Sequence, residues 1–275
     1  LGGIDLSYKE INGIKFFYEL RGNTESTETV AFFNGVMASA DSWKNQVHLF
    51  EKMGYKILLH DFKGQLRSDK PKGPYTFSQH AHEAKLLMES LGIEKAHIVG
   101  TSYGGEVALR FALDFPQAVK TISVIDSVSE LDETLKFFVL GWKELAKHKE
   151  GEKFFFGMMP SIYGNSFVKK NMEMLKSRAK AFKEISDSYF DGQIELYNTF
   201  INDVYITDQL SRIDCPVLVV CGEDDILKPP KFSRLIADSV KNSEYVIIPQ
   251  CGHVAIFEKP NELNSMLLGF ISKHL

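Results

Sequence analysis

Ala96-His97-Ile98-Val99-Gly100-Thr101-Ser102-Tyr103-Gly104-Gly105 decides how this chain folds. A short apolar, β-branched run reads as a strand. It ends in Gly-x-Ser-x-Gly-Gly, and Glu106-Val107-Ala108-Leu109-Arg110-Phe111-Ala112-Leu113 continues as a helix pattern. Strand, sharp turn and helix in that order form a nucleophile elbow, in which a serine projects its hydroxyl above a sheet. The glycines follow from the geometry. Without a Cβ, Gly100 and Gly104 let strand and helix pass close to a strained serine. A helix that starts beside Ser102 aims free N–H groups and its positive dipole end at an oxyanion. A lone Gly-x-Ser-x-Gly arises by chance in many sequences, so the flanking pattern carries the reading.

Upstream, residues 8–11 and 14–20 flank Asn12-Gly13, a strong hairpin signal. Residues 29–33 are continuously apolar, as a buried central strand requires, and end at Asn34-Gly35-Val36. A strand ending in Asn-Gly with small residues after it brings a backbone N–H close to a substrate carbonyl. Val36 and Tyr103 are the candidate oxyanion donors. Asp41 or Ser42 is placed to cap a short helix burying Trp43, Val47 and Phe50. A strand at 56–60 leads into a long polar loop at 61–71, and helical periodicity covers 76–91.

Downstream, residues 119–126 read as a strand. Between Ser127 and Asp208 strand runs disappear and helix patterns dominate, over 131–149, 166–186 and 192–207. Its aromatic cluster, which includes Phe137, Trp142 and Phe154, reads as packing with a share in an apolar pocket. Strand patterning resumes at 216–221 and 245–248, with helices at 230–240 and 261–273. Strands alternating with helices predict an α/β fold, a mostly parallel central sheet covered by helices on both faces. The domain expectation is a core of residues 1–126 and 209–275 with a helical cap, 127–208, inserted into it.

The 275 residues suit one large domain with such an insertion. With 44% hydrophobic and 25% charged residues, the composition is that of a globular protein. A formal net charge of −4 and the lack of basic runs argue against nucleic acid as a partner. No apolar run is long enough to span a bilayer. The start, Leu1-Gly2-Gly3-Ile4-Asp5, has neither the charged nor the apolar region of a signal peptide. Cys215, Cys221 and Cys251 are odd in number and widely spaced, which suits a reducing, cytoplasmic compartment. No metal or cofactor is expected, and the chain is expected to be a monomer or homodimer.

Ser102, an acid after the strand at 217–221, and His253 after the last strand occur in the order Ser, Asp, His. Together with the elbow, Asn34-Gly35-Val36 with Trp43, Asp61 to Pro71, Gly222 to Pro229, and Gly252-His253 before Glu258-Lys259-Pro260, this resembles the capped branch of the α/β-hydrolase superfamily over nearly the whole chain. The resemblance implies Ser102 as nucleophile, His253 as the base that takes its proton, and Asp225 as the acid that orients the imidazole. Asp225 rather than Asp224 matches the family's Gly-x-x-Asp-x-x-x-Pro spacing onto Gly222 and Pro229, and Asp126 is the rival acid. His60, His80, His82 and His97 are expected to be structural or exposed. Many members carry His-Gly where this chain has Asn34-Gly35, a change that keeps the backbone donor.

A serine nucleophile implies an acyl-enzyme rather than the alkyl-enzyme of aspartate members. The expected function is hydrolysis of a small-molecule carboxylic ester of small to medium acyl chain. The alternatives are an enol-lactone or C–C bond hydrolase of aromatic catabolism, or a non-enzymatic small-molecule receptor on the same fold.

Overall fold

Asn12-Gly13 forms the turn its sequence predicts. Both residues take positive φ, 53° and 76°. The strands on either side, β1 (Asp5–Ile11) and β2 (Ile14–Gly22), pair antiparallel with Ile11 opposite Ile14. The computed structural model describes residues 5–275; residues 1–4, read above for a leader, lie outside the described residues. β3 (Thr29–Phe33), α1 (Lys44–Lys52), β4 (Lys56–His60), α2 (Phe77–Ser90), β5 (Ala96–Thr101), α3 (Tyr103–Asp114) and β6 (Val119–Ile125) then alternate. Four helices follow: α4 (Glu133–Lys147), α5 (Gly151–Ile162), α6 (Asn165–Ala181) and α7 (Asp187–Asp203). The chain closes with β7 (Val217–Gly222), α8 (Pro230–Ser239), β8 (Ser243–Ile248), α9 (Ala255–Glu258) and α10 (Pro260–Lys273).

The strands form one sheet in the order β1-β2-β4-β3-β5-β6-β7-β8. From β4 onward in that order all neighbours run parallel. Successive residues of a strand face opposite sides, and each side must be apolar where both are covered. Ala31, Phe33, Ile98, Val217 and Val219 accordingly pack into one core with α2, α3 and α8. Val30, Phe32, Val99, Leu218 and Val220 pack into the other with α1 and α10. Helix starts use local chemistry. At α2 the Thr76 hydroxyl accepts from Gln79 N at 3.1 Å, and the Gln79 side chain accepts from Thr76 N at 3.2 Å.

The region between β6 and β7 departs from its sequence reading in three places. α5 falls between the expected helices, because Gly151, Gly157 and Pro160 interrupt a run of aromatics; its buried face is Phe154, Phe155, Met158 and Ile162. α6 bends at Asn171, where φ is −123°, because the Asn171 amide donates to the Phe167 carbonyl at 2.9 Å and competes with the helix ladder. α7 starts before Gly192, the residue at which the sequence pattern places its beginning. The glycine is needed inside the helix, since a Cβ there would sit 2.1 Å from the Gly64 carbonyl oxygen. Among the described residues no helix is long and apolar enough to cross a membrane.

Candidate active site

Ser102 occupies the turn between β5 and α3 at φ 51°, ψ −120°, in the left-handed half of φ space that side chains disfavour. Hydrogen bonds over-determine it. Its N–H donates to the Ile125 carbonyl at 2.7 Å, and its carbonyl accepts from the Ser127 hydroxyl at 2.9 Å. The flanking glycines are required by contact. A Cβ on Gly104 would lie 2.0 Å from the Phe33 carbonyl oxygen, and one on Gly100 would lie 2.3 Å from that of Gly104.

The loop after β8 brings His253 over Ser102. Its backbone N–H donates to the Ile162 carbonyl at 3.0 Å, at the end of α5. Glu258 clamps the same loop, accepting from Gly252 N at 2.9 Å and Gly164 N at 3.0 Å. His253 Nε2 lies 2.9 Å from Ser102 Oγ, and His253 Nδ1 lies 2.7 Å from Asp225 Oδ2. A nitrogen facing a carboxylate carries the proton, so Nε2 is the ring's acceptor. The other Asp225 oxygen, Oδ1, accepts from Leu227 N at 2.9 Å and Lys228 N at 2.8 Å. The carboxylate is thus fixed by its own turn.

Asp126, the rival acid, is fully buried and serves the backbone. Its two oxygens accept from Gly222 N at 2.8 Å and Ala255 N at 3.2 Å. Burial and the nearby Asp225 carboxylate push its pKa up. Glu223 and Asp224 are exposed. His60, His80 and His97 are buried away from Ser102, His82 is exposed, and burial holds His60 and His97 down at about 4.

Val36 follows β3, and the Tyr103 amide opens α3, where the first turn's N–H groups lack intrahelical acceptors. The Val36 loop is held by a buried polar network. Asn34 Nδ2 donates to the His60 carbonyl at 2.7 Å, and Asn34 Oδ1 accepts from Trp43 Nε1 at 2.8 Å. Gln65 donates to the Gly35 carbonyl at 2.7 Å, and Asp61 accepts from Ala40 N at 2.8 Å. The loop at 61–71, read as polar, buries Asp61, Gln65 and Ser68 for this purpose. Sequence reasoning gave Gln65 no role.

Two spaces meet at Ser102. The larger, about 330 Å³, also contains His253 and is walled mainly by apolar groups, Trp142, Ile162, Tyr163, Phe182 and Phe257 among them, with Asp41, Lys44 and Arg178 also on its lining. The smaller, about 20 Å³, contains Val36, Tyr103, Phe200, Leu227 and Lys228. Sequence reasoning also missed Lys228 and Glu106. The Lys228 ammonium donates to Glu106 Oε1 at 2.5 Å and to Ser102 Oγ at 3.1 Å, and lies 4.7 Å from the centre of the Phe200 ring. Both charged residues are at most 4% exposed. Burial pushes the Glu106 carboxyl up, and Lys228 opposes the shift. The available signal was a glutamate inside the otherwise apolar start of α3. Among the described residues no group of three or more His, Cys, Asp or Glu side chains is placed to hold a metal ion.

Residues 28–260 match the family model described as alpha/beta hydrolase fold, and the chain belongs to that family. It is 30% identical to MGS-M2, an alpha/beta hydrolase enzyme from a Medee basin deep-sea metagenome library, covering 97% of each chain with a TM-score of 0.91. It is 26% identical to a putative carbamate hydrolase, RutD, of Caulobacter sp. (strain K31), over 98% of this chain and 97% of that protein. It is also 26% identical to a 2-hydroxy-6-oxononadienedioate/2-hydroxy-6-oxononatrienedioate hydrolase of Pseudomonas sp, over 98% and 96%. An enol-lactonase from Burkholderia xenovorans LB400 shares the fold at 19% identity, with a TM-score of 0.86 over 97% of this chain and 100% of that one.

Proposed function

We propose that this α/β-hydrolase family member is a serine hydrolase that cleaves carboxylic esters of small to medium acyl chain through an acyl-enzyme on Ser102. The observation that carries the reading is Ser102 Oγ at 2.9 Å from His253 Nε2, with Asp225 at 2.7 Å from the opposite ring nitrogen. The family relatives named above share hydrolysis but differ in substrate, so the substrate is argued from the site.

Ser102 Oγ attacks the ester carbonyl and gives its proton to His253 Nε2. The Val36 and Tyr103 N–H groups hold the oxyanion. His253 passes the proton to the departing alkoxide, the ester C–O bond breaks, and the acyl group stays on Oγ. Water then attacks the acyl carbonyl as His253 takes its proton, and Oγ leaves with that proton. Asp225 keeps the imidazole in the tautomer that both halves need. Residues 127–208 serve as a cap inserted into a core of 1–126 and 209–275, and supply Trp142, Ile162, Tyr163 and Phe182 to the larger space. Its volume of about 330 Å³ falls at the small end of ligand cavities, which run from about 300 to 1,000 Å³.

The test is hydrolysis of p-nitrophenyl esters from acetate to palmitate, with Ser102→Ala as control. A short-chain optimum abolished by Ser102→Ala supports the reading. Near wild-type hydrolysis by Ser102→Ala refutes it.

A further inference from the structure

Resting on the ester reading, the two spaces at Ser102 fix which arm of the ester goes where. The proton taken from Oγ must reach the leaving oxygen, and His253 carries it. The alcohol arm therefore lies in the space that contains His253, the larger one. With the carbonyl oxygen on the Val36 and Tyr103 amides, the acid arm is left with the smaller space, which His253 does not line. At about 20 Å³ it takes only a short arm, of roughly one or two heavy atoms.

That small space is not apolar throughout. An ammonium has three donors and no acceptor. Glu106 Oε1 takes one Lys228 donor and Ser102 Oγ another, and the Phe200 ring face is the remaining neighbour described. Once Oγ is acylated it is an ester oxygen and a poorer acceptor, so the donor it held is released toward the acid arm. A buried cationic donor left unpaired is costly, and an acceptor atom on the acid arm removes that cost. An alkyl group at the same place leaves it unremoved.

We propose that the substrate is an ester of a short 2-oxygenated acid, a 2-hydroxy or 2-oxo acid, with a larger apolar alcohol, and that Lys228 reads the acid's 2-oxygen. Lys228 touches the reacting Oγ and the acid arm, and is a catalytic residue in that sense. Glu106 is a positioning residue that holds the ammonium. Acylation forms the Oγ–C bond and breaks the bond to the alcohol oxygen, which leaves with the His253 proton; Lys228 neither gives nor takes a proton.

Two comparisons test this. Benzyl acetate and methyl phenylacetate are isomers with the ester reversed. Benzyl acetate is expected to be hydrolysed at least tenfold faster in kcat/KM. Equal rates, or the reverse preference, overturn the assignment of the arms while the ester reading stands. Hydrolysis of neither isomer nor of benzyl glycolate, by protein whose Ser102 still reacts with a fluorophosphonate, refutes the ester reading and this proposal with it. Benzyl glycolate and benzyl propanoate differ by a hydroxyl for a methyl. After correction for their alkaline hydrolysis rates, wild type is expected to prefer the glycolate by about tenfold to a hundredfold, the range for a hydrogen bond to a charged group. Lys228→Met is expected to bring the ratio below about threefold. A ratio measured on one preparation does not depend on the fraction folded, and Lys228→Met with Glu106→Gln removes both buried charges if the single variant folds poorly. An unchanged ratio in both variants overturns the role of Lys228.

Discussion

Replacing Asp225 by asparagine removes one charge and almost no volume, and the structure dictates which way the new amide faces. Oδ1 of Asp225 accepts two backbone N–H groups, from Leu227 at 2.9 Å and Lys228 at 2.8 Å. The oxygen of the substituted amide takes that place, because turning the NH2 toward two donors would forfeit both bonds at about 1 kcal/mol each or more. The NH2 then faces His253 Nδ1, where Oδ2 stood at 2.7 Å. Two donors cannot meet, so Nδ1 gives up its hydrogen and Nε2 becomes the protonated nitrogen. An Nε2–H cannot accept the Ser102 proton. The same swap in a serine-protease triad lowers kcat about 10⁴-fold, or about 5.5 kcal/mol at the transition state. A similar loss is expected here, with the thermal midpoint close to wild type because the turn keeps its bonds. Steady-state hydrolysis of p-nitrophenyl acetate, the rate of fluorophosphonate labelling and a melting curve measure the three consequences. A variant that keeps more than a tenth of wild-type kcat would falsify the tautomer argument and the assignment of Asp225 as the orienting acid.

Asp126→Asn is the companion experiment. An amide satisfies only one of Gly222 N and Ala255 N, so stability is expected to fall by about 1–3 kcal/mol in urea unfolding while kcat stays within tenfold. A 10³-fold loss of kcat in well-folded protein would return Asp126 to the triad. Gly104→Ala puts a methyl 2.0 Å from the Phe33 carbonyl oxygen, so a loss of at least ~3 kcal/mol or failure to fold is expected. Gly269→Ala, inside α10 with nothing within 4 Å of the added carbon, is expected to raise stability by about 0.5–1 kcal/mol. The His60 ring nitrogens have no hydrogen-bond partner among the described residues, and the ring packs between Phe33 and Phe62 at 5.3 and 4.8 Å, its pKa held at about 4 by burial. The unfolded chain therefore binds the proton first as pH falls, so this contribution is present above pH 6.5 and is lost toward pH 4. In His60→Leu the stability lost between pH 7 and pH 5 is expected to shrink by about 2 kcal/mol. An unchanged pH slope would mean that His60 takes up its proton in the folded protein as readily as in the unfolded chain.

What could be read from the sequence follows how far each physical cause reaches along the chain. The elbow was legible because its residue pattern is local, although the contacts that require it, from Phe33, Ile125 and Ser127, come from elsewhere in the chain. The strand, the strained serine and the glycines that let backbones touch lie between Ala96 and Gly105. Sheet strands were legible for the same reason, since Val217 to Cys221 must be apolar at every position if both faces are covered. Helix boundaries between β6 and β7 were less so. Gly192 looks like a helix end in sequence, and only the Gly64 backbone beside it, more than a hundred residues earlier, explains it as a helix interior. The polar network around Val36 has the same character. Asn34, Trp43, Asp61 and Gln65 are separate features of the sequence, and their hydrogen bonds make them one support for a single amide.

Lys228 and Glu106 mark the sharper limit. Each is unremarked in its own segment, one a lysine in a polar loop, the other a glutamate near a helix N-terminus, where the dipole favours it. Their meaning lies in a pairing across 122 residues and in a 3.1 Å contact with Ser102 Oγ. A buried ion pair is weak support for stability, because desolvating two charges offsets most of their attraction. Glu106 Oε1 also accepts from Val128 N at 3.1 Å, a bond that Glu106→Gln can keep, so Lys228→Met with Glu106→Gln removes both charges and leaves that backbone donor paired. Under the proposed reaction, the ammonium is explained by the Ser102 hydroxyl it touches, while Glu106 also serves the fold through Val128 N. If Lys228→Met with Glu106→Gln leaves the glycolate-to-propanoate ratio unchanged and raises stability, the pair has no catalytic use. If it raises stability while collapsing the ratio, the protein gives up stability at that point for a choice of acid.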